Sequence, residues 1–106
     1  MKDFILLQIL PSLNSGGVEQ GTIDLANSLK NSGYRSFVAS NGGRMVPFLE
    51  KNNIKHFKIP LHSKNPFVMF LNIWRLKKII KSNEINIIHV GQELQHGRYF
   101  FVKKII

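Results

Sequence analysis

The residues with the clearest potential for chemistry form a glycine-rich segment near the start of the chain. Residues 11–17 read Pro-Ser-Leu-Asn-Ser-Gly-Gly and stand between an apolar run and a helical pattern. Glycines there let the backbone approach a ligand closely, and the start of a helix presents unpaired N–H groups to an anion. The segment has neither the G-x-G-x-x-G spacing nor the lysine of a P-loop. Taken alone, it also fits an ordinary turn with Ser15 or Gly16 as the helix cap.

The other reactive side chains form no recognisable constellation. Cysteine is absent, which excludes disulfides and thiolate chemistry. The histidines His56, His62, His89 and His96 have no ligand-like spacing, so we expect no metal site. Glu19, Asp24 and Glu93 are candidates for a general base, but none has a partner arrangement typical of one. The catalytic residues therefore stay unassigned.

The charge of the chain suits an anionic ligand. Its 106 residues carry a formal net charge of +9, which attracts nucleic acid, phosphorylated substrates or anionic lipid. AT-rich codon usage is an equally good explanation, because the chain has 13 Ile, 11 Lys and 10 Asn but only 2 Ala. No nucleic-acid reading motif occurs and the aromatic residues fall mostly at expected core positions, so we expect no nucleic-acid partner.

The apolar pattern alternates between strands and helices. It predicts strands over residues 4–10, 35–40, 55–60 and 86–90, helices over 18–31, 45–52 and 67–82, and another helix beginning at residue 98. This order predicts an α/β fold: a Rossmann-like parallel sheet with helices on both faces. No further strand follows, so we expect a truncated domain with an unfinished sheet edge near Ile87 and Ile88. The first apolar run lacks a signal-peptide cleavage site, and a cytoplasmic protein is expected.

The predicted topology indicates where a ligand would bind. In parallel α/β sheets, ligands bind at the carboxyl ends of the strands. The segments at that edge are residues 11–17, 41–44, 61–66 and 91–97.

Four stretches of the chain, three of which include such a segment, resemble family-four-like glycosyltransferases of bacterial cell-envelope synthesis, including that of lipopolysaccharide. The matching segments are Gln8–Thr22, Val38–Met45, Leu61–Pro66 and Ile85–His89, in the order and at the spacing of the family. The resemblance implies a GT-B architecture, in which two Rossmann-like domains face each other across a cleft. The N-terminal domain holds the acceptor and the C-terminal domain the nucleotide-sugar, which is a substrate, so no cofactor is implied. Residues 1–106 would be part of the acceptor-side domain without the donor-binding domain, and unable to transfer sugar alone.

The resemblance also implies roles for individual residues. Gly16 and Gly17 match the loop that reaches the donor diphosphate, with Glu19 and Thr22 at the mouth of the helix. The acceptor side would be lined by residues of two later loops: Gly42, Gly43, Arg44, Ser63, Lys64 and Asn65. His89 is either a sugar contact or a packed residue of the core.

Two departures weaken the resemblance. Gln20 stands where relatives usually have Arg, and Gly91 stands where they have a polar or basic residue. A free-standing small α/β module that binds a phosphorylated ligand or a protein partner, without catalysis, is the alternative function.

The long predicted helix carries two stripes. Apolar residues at helical spacing predict the buried stripe: Met69, Phe70, Ile73, Leu76, Ile79 and Ile80. A second stripe combines Trp74 with Lys77, Lys78 and Lys81. It suits peripheral attachment to an anionic membrane on its inner face, or else Trp74 packs on a neighbouring element and the lysines are solvated.

Overall fold

The computed structural model describes residues 4–14, 16–93 and 99–105. These form a five-stranded sheet in the order β3-β2-β1-β4-β5 together with three helices. The elements are β1 (Ile5–Ile9), α1 (Gly17–Asn31), β2 (Arg35–Ser40), α2 (Val46–Lys51), β3 (Lys55–Lys58), α3 (Pro66–Ser82), β4 (Ile87–Glu93) and β5 (Tyr99–Ile105).

The first four strands are parallel, which confirms the predicted Rossmann-like α/β sheet. Leu7 in β1 lies opposite Phe37 of β2 on one side and Ile88 of β4 on the other. Leu6, Leu7 and Gln8 are all buried because helices cover the sheet on both faces. Helix α1 ends before Gly33, whose φ of 88° is the left-handed conformation that closes a helix.

The helices divide the core into two layers. On one face, residues of α1 and α2 such as Ile23, Ala26 and Leu49 pack with Leu10 and Val38. On the other face, α3 packs against the sheet through Leu76, Ile79 and Ile80, which contact the cluster that includes Leu7, Phe37 and Ile59. The carboxyl edge of the sheet lies between these layers, where the loops of the candidate site emerge.

The helix predicted to begin at residue 98 is wrong. Residues 99–105 form β5, which pairs antiparallel with β4 from Ile87↔Ile105 to Glu93↔Tyr99. Aromatic and β-branched residues dominate the segment, and such residues favour strands. The unfinished edge expected at Ile87 and Ile88 is therefore covered by β5.

The predicted buried stripe of α3 is also wrong in part. Leu76, Ile79 and Ile80 pack on the core as predicted. The first half of the helix, however, turns the half-buried Val68 and the buried Asn72 inward. Met69, Phe70 and Ile73 are 51%, 72% and 55% exposed. Asn72 Nδ2 donates a 2.9 Å hydrogen bond to the Pro60 carbonyl oxygen, which satisfies its buried amide. The face of α3 that packs on the sheet is therefore not the face with the most apolar residues.

Across the part of the chain described by the structure, no helix has the length and apolar character needed to cross a bilayer.

Candidate functional site at the carboxyl edge of the sheet

The first glycine loop, residues 11–17, places the start of α1 at the carboxyl end of β1. Gly16 is the residue before the helix and has a φ of 143°, which favours glycine. Its carbonyl accepts the amide of Gln20 at 3.0 Å, which closes the first turn. Gly16 has no side chain that could cap the helix, and the amides at the start of a helix lack partners within it.

Glu19 lies against this glycine. Its Oε1 atom stands 2.8 Å from the point that a Cβ atom on Gly16 would occupy, so any side chain at position 16 would displace the carboxylate. Oε1 is buried and has no hydrogen-bond partner among the described residues. A carboxylate is stabilised by the positive end of the helix dipole, yet a buried oxygen without a donor is unfavourable. Glu19 Oε1 is thus a buried acceptor without a donor among the described residues.

Thr22 lies deeper than the mouth of the helix. It is buried, and its backbone carbonyl accepts a 2.9 Å hydrogen bond from the buried Nε2 of Gln8. This bond ties α1 to the centre of β1. Thr22 therefore anchors the helix whose start forms the loop.

The second glycine loop, residues 41–44, is joined to the first by backbone hydrogen bonds. The three bonds, all 2.9 Å long, run from Asn41 N to Pro11 O, from Leu13 N to Gly42 O and from Met45 N to Leu13 O. The amide of Arg44 also donates to Asn14 Oδ1 at 3.3 Å. The two loops thus form one unit. Leu13 and Asn14, which join the first loop to the second, were not predicted as site residues from the sequence.

Both glycines of the second loop have conformations that side chains rarely adopt, with φ of 100° at Gly42 and 149° at Gly43. A Cβ atom on Gly43 would lie 2.7 Å from Asn14 Oδ1. Glycine at position 43 is therefore needed for close approach as well as for its backbone conformation.

A buried serine supports the second loop. Ser40, the last residue of β2, is fully buried, and its Oγ accepts a 3.0 Å hydrogen bond from the amide of Gly42. The same oxygen lies 2.6 Å from Nε2 of His56 in β3. Burial lowers the pKa of His56, Glu50 raises it and Lys58 lowers it. From the sequence, His56 was expected to matter only as a metal ligand, because the pairing of β2 with β3 could not be read from spacing.

The third loop, residues 61–66, holds Ser63, Lys64 and Asn65 at the start of α3. Asn65 caps this helix, since its Oδ1 accepts from the amide of Phe67 at 2.9 Å. Ser63 Oγ accepts from the amide of Asn65 at 3.2 Å. Two of the three residues predicted for the acceptor side thus shape the loop, while the exposed Lys64 leaves its ammonium group at the surface.

His89 lies inside β4 rather than at its end. It is half-buried and pairs in register with Gln8 of β1. β4 continues to Glu93, so the predicted fourth loop begins inside a strand, and its residues 94–97 lie outside the described residues.

A small cavity connects three of the elements at this edge. It encloses about 230 Å³ and is lined by the end of β1 and the first loop, by the third loop and by β4, through Ile9, Leu10, Pro11, Leu61, Val90 and Gly91. The predicted residues Gly42, Gly43 and Arg44 of the second loop contact the first loop through Leu13 and Asn14. No group of three or more His, Asp or Glu side chains with the geometry of a metal site occurs in residues 4–14, 16–93 and 99–105.

Comparison with known proteins agrees with this fold. Residues 15–104 match the family model of Glycosyltransferase Family 4. The crystal structure of a glycosyltransferase from Rickettsia africae ESF-5 is similar, with 38% sequence identity and a TM-score of 0.80 over 90% of this chain and 25% of that chain. The present chain therefore spans about a quarter of the length of that glycosyltransferase. None of the curated proteins compared with the chain matches it.

Proposed function

We propose, since this chain belongs to glycosyltransferase family 4, that it forms the acceptor-side part of a GT-B enzyme. The reaction would move a sugar from a nucleotide-sugar to a cell-envelope glycan or lipid-linked acceptor. The observation that carries the proposal is the junction of the two glycine loops at the carboxyl edge of the sheet, through the paired backbones of Leu13 and Gly42. Ligands of parallel α/β sheets bind at this edge.

The first loop would receive the donor diphosphate. The amides at the start of α1, from Gly16 and Gly17 onwards, supply donors and the positive end of a helix dipole. Glu19 would repel a phosphate placed directly against it, so we assign its carboxylate to a sugar hydroxyl. Such a hydroxyl would give the buried Oε1 the donor that it lacks among the described residues.

The second and third loops would line the acceptor. Gly42 and Gly43 bring the backbone close, while Arg44 and Lys64 are exposed cations on adjacent loops. A guanidinium group binds phosphate or carboxylate through paired hydrogen bonds, and an ammonium group binds it as a point charge. Both favour a phosphorylated or acidic acceptor.

The outer face of α3 would attach the enzyme to an anionic membrane on its cytoplasmic side. Phe67 and Phe70 are 83% and 72% exposed, and Trp74 is 55% exposed on the same face. Lys77, Lys78 and Lys81 follow them toward the end of the helix, and Lys78 Nζ lies 4.6 Å from the centre of the Trp74 ring. Aromatic side chains beside lysines match the chemistry of a bilayer interface with negatively charged headgroups.

The alternative of a free-standing binding module is not favoured. The family match extends over residues 15–104 and includes the second and third loops.

The test is an assay of sugar transfer. The purified 106-residue polypeptide, incubated with a panel of nucleotide-sugars and envelope acceptors, should give no turnover above a control without protein. A longer protein that contains this chain and a donor-binding domain should give turnover, and its failure on every donor would contradict the proposal.

A further inference from the structure

The second glycine loop rests on a short chain of hydrogen bonds that begins in β3. His56 Nε2 contacts Ser40 Oγ at 2.6 Å, and Ser40 Oγ contacts the amide of Gly42 at 3.0 Å. Ser40 has no exposed surface, and β3 lies beside β2 in the sheet. The chain of bonds therefore runs from the neighbouring strand into the loop.

The direction of these bonds follows from their chemistry. The amide of Gly42 can only donate, so the oxygen of Ser40 accepts that bond. The hydroxyl oxygen could also accept a second bond from a protonated Nε2, but the buried hydroxyl hydrogen would then lack an acceptor among the described residues. The favoured arrangement therefore has the hydroxyl donating to Nε2 of a neutral imidazole whose hydrogen is on Nδ1.

The position of Gly42 also fixes the first loop. The Gly42 carbonyl accepts the amide of Leu13, and the Leu13 carbonyl accepts the amide of Met45. Both bonds cross from one glycine loop to the other. A shift of Gly42 would thus move Leu13, which lies three residues before Gly16.

We propose that Ser40 and His56 are positioning residues that set the relative placement of the two glycine loops. The neutral imidazole orients the Ser40 hydroxyl, the hydroxyl holds Gly42, and Gly42 holds Leu13. The assignment of these loops to donor and acceptor rests on the proposed function, whereas the chain of hydrogen bonds does not.

Acid should disrupt the hydrogen bond between His56 and Ser40. Glu50 of α2 and Lys58 of β3 are the charged groups that act on His56, and burial is the largest influence on its pKa, which is lowered. When His56 is protonated, Nε2 becomes a donor and the Ser40 hydroxyl loses its acceptor. The Gly42 amide is then bonded to a hydroxyl that must reorient.

The test is nuclear magnetic resonance on the 106-residue chain. Nitrogen shifts of the unmodified protein at neutral pH should show His56 with its hydrogen on Nδ1. On acidification, the amide resonances of Gly42 and Leu13 should move with the midpoint of the His56 titration. A hydrogen on Nε2 at neutral pH would overturn the proposal, and so would amide resonances of Gly42 and Leu13 that do not change when His56 titrates. This measurement uses only the unmodified chain.

Variants separate positioning from packing. Ser40→Ala should speed hydrogen exchange of the Gly42 amide about fivefold, the effect of one lost hydrogen bond. Ser36→Ala is the matched control on the same strand, since its buried Oγ has no hydrogen-bond partner among the described residues, and it should leave that exchange unchanged. His56→Gln keeps an acceptor and cannot titrate, so it should preserve slow exchange and abolish the pH dependence. Equal exchange in Ser40→Ala and the unmodified chain would refute the role of the hydroxyl.

These outcomes differ from a failure of the proposed function. If the loops bind no diphosphate, titration with inorganic pyrophosphate leaves the amides of Gly16 and Gly17 unchanged. The His56 tautomer and the exchange of Gly42 are read without any ligand.

Discussion

Gly43 packs directly on the backbone of Leu13, so that a Cβ atom at position 43 would lie 2.5 Å from the Leu13 carbonyl carbon. Real Cβ atoms do not approach a backbone so closely, and backbone cannot move aside as a flexible side chain can. The contact joins the loop after β1 to the loop after β2, at the edge where the ligand is proposed to bind. The glycine therefore has a steric role that its sequence neighbours do not reveal.

Three glycine substitutions separate the steric effect from the conformational one. Gly43→Ala meets both the Leu13 backbone and an unfavourable φ, and should lower the free energy of unfolding by about 3 kcal/mol. Gly33→Ala has an unfavourable φ of 88° but open space, and should lower it by about 1 kcal/mol. Gly21→Ala, inside α1 with nothing within 4 Å, should raise it by about 0.5 kcal/mol. Urea denaturation measures all three, and equal effects of Gly43→Ala and Gly33→Ala would contradict the packing argument.

Stability should fall in mild acid because of His56. Its pKa is lowered from 6.5 in the folded protein, mainly by burial, so the unfolded chain binds a proton more readily. The stabilising contribution is fully present above pH 6.5 and is lost as the pH falls from 6.5 through the lower pKa of the folded state. Urea midpoints of the unmodified chain should decrease over this interval.

Two histidine variants identify the source of that decrease. His56→Gln should make the urea midpoint nearly independent of pH over this interval. His62→Gln, which removes an exposed imidazole, should leave the decrease unchanged. A decrease of the same size in His56→Gln would assign the effect to another group.

Membrane binding should depend on the outer face of α3. Trp74 is the single tryptophan of the chain, so its fluorescence reports contact with vesicles directly. Each lysine near an anionic surface contributes about 1 kcal/mol, so replacing Lys77, Lys78 and Lys81 by Gln should weaken binding at least tenfold. Binding should also weaken as salt rises.

The matched control for this experiment is replacement of three exposed basic residues outside α3 and outside the groove beside it, Lys30, Arg35 and Lys51, by Gln. It removes the same charge and should weaken binding much less. Phe70→Ser should weaken binding without destabilising the protein, because the ring is already exposed. Equal binding to neutral and anionic vesicles, or equal losses in the two triple variants, would leave these lysines as ordinary solvated charge.

Glu19→Gln should strengthen binding of a diphosphate at the start of α1. The substitution removes a negative charge beside Gly16 while retaining nearly the same shape. A charge at a helix terminus is worth about 0.3–1 kcal/mol, so the dissociation constant for pyrophosphate should fall about two- to fivefold. Glu84→Gln, an exposed change beyond the end of α3, is the control. Weaker binding by Glu19→Gln would show that this carboxylate does not face the anion.

The parallel part of the fold could be predicted because its signals are local. The run from Leu6 to Gln8 is covered on both faces, and Gly33 ends α1 where a helix cap was expected. The buried face of α3 could not be predicted from apolar residues, since one of its buried positions is the polar Asn72, whose amide donates to the Pro60 carbonyl. Strand β5 was missed although its partner β4 directly precedes it, because a short apolar run without strict alternation fits a helix or a strand equally well.

The sequence was sufficient to predict which loops form the candidate site, but not which residues of those loops contact one another. Glycines after two strands of a parallel sheet indicate the carboxyl edge, and Gly16 and Gly43 lie there. The link from His56 to Ser40 depends on the neighbouring placement of β2 and β3, which no spacing in the sequence encodes.

The most direct test of the account is titration of the isotopically labelled chain with inorganic pyrophosphate, followed through its glycine amides. We expect saturable shifts of the Gly16 and Gly17 amides and smaller shifts of the Gly42 and Gly43 amides through the joined loops. Sulfate at equal ionic strength should have much weaker effects. The contradictory result is an absence of shifts at Gly16 and Gly17, or largest shifts in the basic groove between β3 and α3 lined by Lys55, Arg75 and Lys78. That outcome would show that net charge, and not the first glycine loop, attracts the anion.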